Sequence, residues 1–88
     1  MEIIYLKSFY NDIKKIKDQN LKQRLKNLIL KIEAAEHPDE IPNILKMKGY
    51  TSAYRIRLGD YRLGVFIDEE KIELVRFVKR NDIYKLFP

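Results

Sequence analysis

The chain has 88 residues, no cysteine and a net charge of +5 at pH 7; 45% of its residues are hydrophobic and 35% are charged. This composition is typical of a folded globular protein, and a chain of this length forms one domain, expected to span 1–88, that buries only about 60–65% of its unfolded surface. We therefore expect no deep enclosed active site, no disulfide, no thiolate metal site and no membrane span, in a protein of the cytoplasm.

The first half of the chain predicts a strand followed by two helices. Residues 2–6, "EIIYL", are rich in β-formers. Ser8 is a candidate N-cap for a first helix and Asn20 for a second one. Apolar residues recur at helical spacing in both segments: Phe9, Ile13 and Ile16 in the first, and Leu21, Leu25, Leu28, Ile29 and Ile32 in the second. Two amphipathic helices joined this closely form a helical hairpin that needs a sheet to cover.

The second half predicts a sheet. The segment 37–43 contains two prolines and is expected to be a loop. Strands follow at about 52–58, 61–67 and 72–78, with "GD" and "DEEK" as turns. The predicted fold class is α+β: a small antiparallel β-sheet with an N-terminal strand, a helical hairpin packed on one face, and a short C-terminal helix or tail.

Most of the net charge comes from a single segment. Residues 43–64 contain Lys46, Lys48, Arg55, Arg57 and Arg62 against Asp60 alone, which is +4 of the total +5. A charged segment is usually a solvated face, and three arginines on the exposed side of a sheet are one interpretation here. Such a concentration of positive charge on a short sheet also favours a polyanionic partner.

The "GD" hairpin places arginines opposite each other. A two-residue turn pairs Arg57 with Arg62 and Arg55 with Gly64, and all four residues fall on the face opposite the apolar one. The facing charges repel by roughly 1 kcal/mol in a water-like dielectric. A bound anion would remove that cost, since guanidinium groups grip phosphate in a bidentate manner. Gly64 predicts bare backbone that a ligand can approach closely.

The last strand and the tail add two expectations. A four-residue "DEEK" turn would turn Arg76 to the apolar face, which favours a β-bulge or another loop length there. Arg80 and Tyr84 are four residues apart, so one helical turn would point both the same way. A core aromatic role is the alternative for Tyr84.

The residue inventory limits the chemistry. The single histidine, His37, lies in the loop, so no two-histidine acid–base pair exists. No Asp, Glu or His cluster has metal-ligand spacing, and there is neither a Ser-His-Asp set nor a glycine-rich phosphate loop. An enzyme built from this chain is therefore expected to need no metal or small-molecule cofactor and to act through Arg, Lys and Tyr.

The motif "LKMKGYTSAYRIRLGDYRLGV…VRFVKRNDIY" resembles the RelE family of bacterial toxins, within the RelE/ParE superfamily. The resemblance covers nearly the whole chain. It implies the toxin of a type II toxin–antitoxin system: a ribosome-dependent mRNA endoribonuclease that cuts A-site codons through metal-free attack of the 2′-OH. It also implies three partners, namely a cognate antitoxin, the ribosome and mRNA.

The resemblance assigns roles residue by residue. Catalytic roles fall to Arg62, Arg80, Tyr84 and Arg57, and RNA-binding roles to Lys48, Arg55, Arg57, Lys46 and Lys79. Arg62 and Arg80 would clamp the scissile phosphate, while Tyr84 would stack on a base or relay a proton. Some members have lysine at the positions of Arg55 and Arg57 and many have histidine at that of Lys79, which leaves the general base open.

Three alternatives stay open. The first is a ParE-like inhibitor of DNA gyrase, a branch that lacks the catalytic Arg/Tyr set. The second is a non-catalytic RNA-binding module that uses the same basic sheet. The third is a decayed toxin that still binds its antitoxin.

Overall fold

The computed structural model describes residues 1–88 and shows the predicted α+β fold. A five-stranded sheet with the strand order β1-β5-β4-β3-β2 is combined with two main helices and a short third one. The elements are β1 (Glu2–Tyr5), α1 (Lys7–Ile13), α2 (Gln19–Ala34), β2 (Ile44–Lys46), β3 (Ala53–Leu58), β4 (Tyr61–Asp68), β5 (Lys71–Lys79) and α3 (Ile83–Leu86). The sheet is antiparallel except that β1 pairs parallel with β5.

Both predicted helix caps are wrong, and the observed ones follow from local chemistry. The first helix has Leu6 as its N-cap, and the Ser8 hydroxyl donates instead to the Val75 carbonyl of β5 at 2.6 Å. In the second helix the Asp18 carboxylate accepts from the amides of Asn20 and Leu21, so Asp18 is the cap and Asn20 lies inside the helix. Asp18 satisfies two amides that have no partner within the helix.

The segment before the sheet holds more structure than the two prolines predicted. Residues Pro38–Glu40 form a 3-10 turn within the expected loop. A three-residue edge strand, β2, follows and pairs with β3. It was not predicted because three residues are too few to show an alternating pattern.

The main core lies between the two long helices and one face of the sheet. It contains the predicted apolar stripes of both helices and the inward residues of β3, β4 and β5, among them Phe9, Leu25, Ile32, Ile56, Leu63, Val65, Leu74 and Phe77. Tyr61 stacks on Phe77 with ring centroids 5.0 Å apart. Helices α1 and α2 cover this face only, whereas part of the opposite face carries a second, smaller apolar cluster formed with α3.

Helix α1 closes the edge of β5 beyond the point where β1 ends. The Asp12 carboxylate accepts from the Phe77 amide at 2.9 Å and from two nitrogens of Arg76 at 2.8 and 3.0 Å. The hydrogen bonds and the charge of Asp12 raise the pKa of Arg76 against the opposing effect of burial. Val75 has no partner in the ladder, so the β-bulge, one of the two predicted alternatives, is present and leads Arg76 to this carboxylate. The turn before β5 has two residues, 69–70, instead of the predicted four of "DEEK".

No helix of the structure is both long enough and apolar enough to span a lipid bilayer.

Candidate nucleic-acid interface

The β3–β4 hairpin has the predicted register. Arg57 pairs with Arg62, Ile56 with Leu63 and Arg55 with Gly64. At the tip Gly59 has a φ of +59° whereas Asp60 has no positive φ, the pattern of a type II′ turn. Because side chains alternate between faces, Arg55, Arg57 and Arg62 share the face turned away from α1 and α2. This surface is called the arginine face below.

Arg62 is at the centre of the charge on this face. Only 9% of its surface is exposed, and its Nη1 donates to the carbonyls of Gly59 and Tyr61 at 3.0 and 2.9 Å. Burial lowers the pKa of Arg62, and the charges of Arg55, Arg57 and Arg80 lower it further, with Tyr84 acting in the opposite direction. These four neighbours are the residues that the hairpin and the tail were predicted to bring together.

Three hydrogen bonds that the sequence did not suggest hold the flanking arginines. Asn43, with a φ of +60°, accepts from Arg57 Nη2 at 3.4 Å and from the Arg57 amide at 3.2 Å. The Arg80 amide donates to the Asp60 carbonyl at 2.8 Å, which ties the start of the tail to the hairpin tip. Asparagine after proline indicates a turn, but no sequence pattern indicates which strand that turn will contact.

The C-terminal tail, residues 80–88, places Tyr84 over the arginine face. The Arg55 guanidinium carbon lies 5.5 Å from the centre of the Tyr84 ring, within the range of a cation–π contact. Tyr84 is 65% exposed. Its ring is therefore presented to solvent beside the arginines, and the core alternative for Tyr84 does not hold.

The bare patch expected at Gly64 is wrong, because the tail fills it. A Cβ atom at Gly64 would lie 2.6 Å from Cγ of Phe87. Phe87 is only 2% exposed and belongs to a second small core with Met47, Ala53 and Ile83 on this side of the sheet. Gly64 lacks a side chain because the phenylalanine ring occupies that space.

The predicted lysines do not all join the arginines. Lys46 pairs with Tyr54 and Lys79 with Tyr61, so the pleat turns both toward the helix side. Lys48 lies in the exposed turn after β2, on the chain segment that leads into β3. The structure thus brings Arg55, Arg57, Arg62, Arg80 and Tyr84 together and separates Lys46 and Lys79 from them.

No carboxylate neutralises the arginines. The single salt bridge of the chain joins Arg76 to Asp12 at the far edge of the sheet. Both hydrogen bonds of Arg62 use Nη1, which leaves Nε and Nη2 free to bind an anion. Guanidinium groups without an acidic partner are suited to binding phosphate oxygens, and four of them lie close together here.

A second concave surface lies on the other side of the molecule. It is a groove of about 660 Å³ between α1 and α2, with Tyr5, Tyr10, Ile29 and Leu30 among its apolar lining. Lys14, Lys22 and Lys26 also line it, with Glu33 as its one acidic residue. An apolar groove with a basic rim suits a protein segment better than a reacting substrate.

The fold and the basic sheet face together define a class, the small toxins of toxin–antitoxin systems. A family model described as "ParE toxin of type II toxin-antitoxin system, parDE" matches residues 3–84. "Toxin RelE3" of Methanocaldococcus jannaschii is 32% identical over 100% of both chains. "Putative toxin RelE1" of the same organism is 30% identical over 86% of this chain and 84% of its own.

Solved structures agree with this class. The RelB-RelE antitoxin–toxin complex from Methanococcus jannaschii matches with a TM-score of 0.81 at 30% identity, covering 97% of this chain and 99% of that one. The archaeal RelE-RelB complex from Pyrococcus horikoshii OT3 matches with a TM-score of 0.73 at 20% identity over 90% and 93%, a likeness of fold. The chain belongs to the RelE/ParE family of type II toxin–antitoxin toxins. A bacterial origin, which the resemblance suggested, is not supported, because both of these relatives are archaeal.

Proposed function

We propose that the protein is a ribosome-dependent mRNA endoribonuclease that uses the arginine face to bind and cut RNA. The observation that carries this proposal is the position of Arg62: nearly buried, surrounded by three more arginines and unpaired with any carboxylate. Mutual repulsion among these groups is relieved when phosphates bind between them. The relatives named RelE favour the nuclease branch of the family.

The reaction follows from what the site residues can do. The ribose 2′-OH attacks the adjacent phosphorus, the bond from phosphorus to the 5′-oxygen breaks, and the products carry a 2′,3′-cyclic phosphate and a free 5′-OH. Arg62, through Nε and Nη2, and Arg80 bind the phosphate oxygens on which negative charge grows in the transition state. Arg55 and Arg57 hold the flanking phosphates.

Tyr84 completes the proposed site. Its exposed ring lies over the Arg55 guanidinium, where a base of the RNA can stack. Among the groups around Arg62 it is the one that can relay the proton lost by the 2′-OH to the leaving 5′-oxygen, since its hydroxyl both accepts and donates whereas arginine stays protonated. An open surface without a strong base needs its substrate held in an attack-ready shape, which is the role we assign to the ribosome.

Induction of the protein in cells, with and without its neighbouring gene, tests the proposal. Growth arrest with new mRNA 5′-OH ends at A-site codons is expected for the wild type, and Arg62→Ala or Arg80→Ala should abolish both. Lys46→Ala and Lys79→Ala are the matched controls, because each removes one positive charge from the helix side of the sheet. Full toxicity of the arginine variants, at confirmed expression, would refute the site.

A second candidate function is supported by the family model, whose description names the ParE toxin. In that case the protein inhibits DNA gyrase, and induction should cause DNA damage while leaving mRNA intact. The cluster of Arg62, Arg80 and Tyr84 favours the nuclease, because gyrase inhibition requires no RNA-cleaving set. The same induction experiment separates the two functions. It also separates the nuclease from a non-catalytic RNA-binding module, because a protein that only binds RNA produces no RNA fragments.

We propose further that the antitoxin partner places an amphipathic helix with acidic flanks in the groove between α1 and α2. The solved RelB-RelE and DinJ-YafQ structures are complexes of a toxin with its antitoxin. The apolar lining and the lysine rim of the groove complement such a helix.

Leu30→Asp should weaken binding of the antitoxin and leave toxicity intact. Leu45→Asp on edge strand β2 is the control for antitoxin binding alone, because Leu30 and Leu45 are equally exposed, at 54% and 55%, whereas Leu45 pairs with Arg55 beside the arginine face. Equal losses of antitoxin binding for both variants would contradict this placement.

A further inference from the structure

Beyond the hydrogen bond from the Arg80 amide to the Asp60 carbonyl at its start, the tail is held to the sheet by apolar packing. Helix α3 has only four residues, and its own backbone bonds are too few to hold it in place. Its position depends on two apolar side chains, Ile83 and Phe87, which are 0% and 2% exposed. The Phe87 ring lies on the backbone of Gly64 and beside Phe66, with ring centroids of the two phenylalanines 5.1 Å apart.

The space above Gly64 that the Phe87 ring fills, called the seat below, lies next to the proposed reaction site. Gly64 pairs with Arg55 across the β3–β4 ladder, and the guanidinium of Arg55 lies against the Tyr84 ring. Phe87 and Ile83 are one helical turn apart, and the Phe87 amide donates to the Ile83 carbonyl at 2.8 Å. When both are buried against the sheet, the residue after Ile83 is directed to the rim of the arginine face, where Tyr84 is found.

We infer that Gly64 and Phe87 are positioning residues: the glycine leaves a seat for the phenylalanine ring, and the seated ring fixes Tyr84 over Arg55. Neither residue offers a group that can react. Their effect on RNA cleavage is transmitted through Tyr84 alone, and this kinetic part of the inference rests on the proposed nuclease function. A 1 Å displacement of a reacting group can reduce the rate by roughly 10²-fold.

Gly64→Ala is the direct test of the seat. Its methyl group would lie 2.6 Å from Phe87 Cγ, so the ring has to leave or shift. We expect a folded protein in which the NMR cross-peaks between the Tyr84 ring and the Arg55 side chain are lost. The double variant Gly64→Ala with Phe87→Leu provides a smaller side chain for the narrowed seat and should restore them in part. Unchanged Tyr84–Arg55 cross-peaks in the single variant would overturn the inference, whether or not the protein cuts RNA.

A double-mutant cycle tests the route through Tyr84. Phe87→Ala should lower kcat for mRNA on ribosomes by about as much as Tyr84→Ala, roughly 10²-fold, while the arginines that hold the phosphates remain in place. The variant with both changes should be no slower than either one, since Phe87 acts only by placing Tyr84. Effects that multiply instead would mean that Phe87 contributes by another route. If Tyr84→Ala cleaves mRNA slowly but Phe87→Ala cleaves it at the wild-type rate, the positioning role of Phe87 is wrong and the nuclease function stands. If the wild type cuts no RNA, the nuclease function is wrong, and the NMR experiment alone decides whether Phe87 positions Tyr84.

Discussion

Replacing Arg57 by glutamine should stabilise the free protein while weakening its function. Arg57 stands directly opposite Arg62 in the ladder, where side chains lie roughly 5 Å apart. At that separation two unit charges repel by about 1 kcal/mol in a water-like dielectric. Glutamine removes the charge and keeps an amide that can bond Asn43, the partner of Arg57 in the native protein.

The expected gain is a rise of several degrees in the melting temperature. About 1 kcal/mol corresponds to roughly 4–8 °C for a domain of this size. Screening should reduce the gain, because the Debye length falls from about 30 Å at 0.01 M salt to about 3 Å at 1 M. Thermal unfolding followed by circular dichroism at both salt concentrations measures the effect.

Lys26→Gln is the control for Arg57→Gln. It removes the same unit of charge from an exposed position on α2, away from the arginine face. Any effect of net charge alone will appear equally in both variants. An Arg57→Gln protein that melts below this control at low salt, or whose gain is insensitive to salt, would show that the facing arginines do not repel as the structure implies.

Three further changes test separate parts of the structure. Asp12→Ala leaves the Phe77 amide and Arg76 without their partner and should cost about 3 kcal/mol of unfolding free energy by urea titration; a loss under 1 kcal/mol would contradict the edge closure. Asp18→Ala should cost about 1 kcal/mol, whereas Asn20→Ala should cost little, in the same assay. Tyr84→Phe keeps the ring over Arg55 and removes the hydroxyl, so kcat should fall if Tyr84 relays a proton and stay unchanged if it only stacks.

The hairpin could be predicted in detail because its determinants are local. Alternating polarity assigns each residue to a face, and the Gly-Asp turn fixes the register. The same alternation shows that Arg76 does not fit a regular strand, which favours a bulge or another loop length, and only the structure distinguishes the two. The sequence alone therefore predicts that Arg55, Arg57 and Arg62 share one face of the hairpin.

Features that depend on distant segments could not be predicted in this way. The parallel pairing of β1 with β5 depends on where the helical hairpin returns the chain, and four residues of strand do not encode their partner. Phe87 and Gly64 are 23 positions apart, and no sequence pattern indicates that they are in contact. The sequence therefore predicted exposed backbone at Gly64. Lys46 and Lys79 were predicted to bind RNA together with the arginines, but the pleat directs both to the opposite side of the sheet.

Cleavage of mRNA on programmed ribosomes, followed by analysis of both new ends, tests the central claim most directly. We expect A-site cuts with a 2′,3′-cyclic phosphate and a 5′-OH for the wild type and for Lys46→Ala. Cleavage by Arg62→Ala should be at least 10²-fold slower, the size expected when one charge-stabilising group is removed. Intact mRNA with the wild type, or equal cleavage by Arg62→Ala, would contradict the claim.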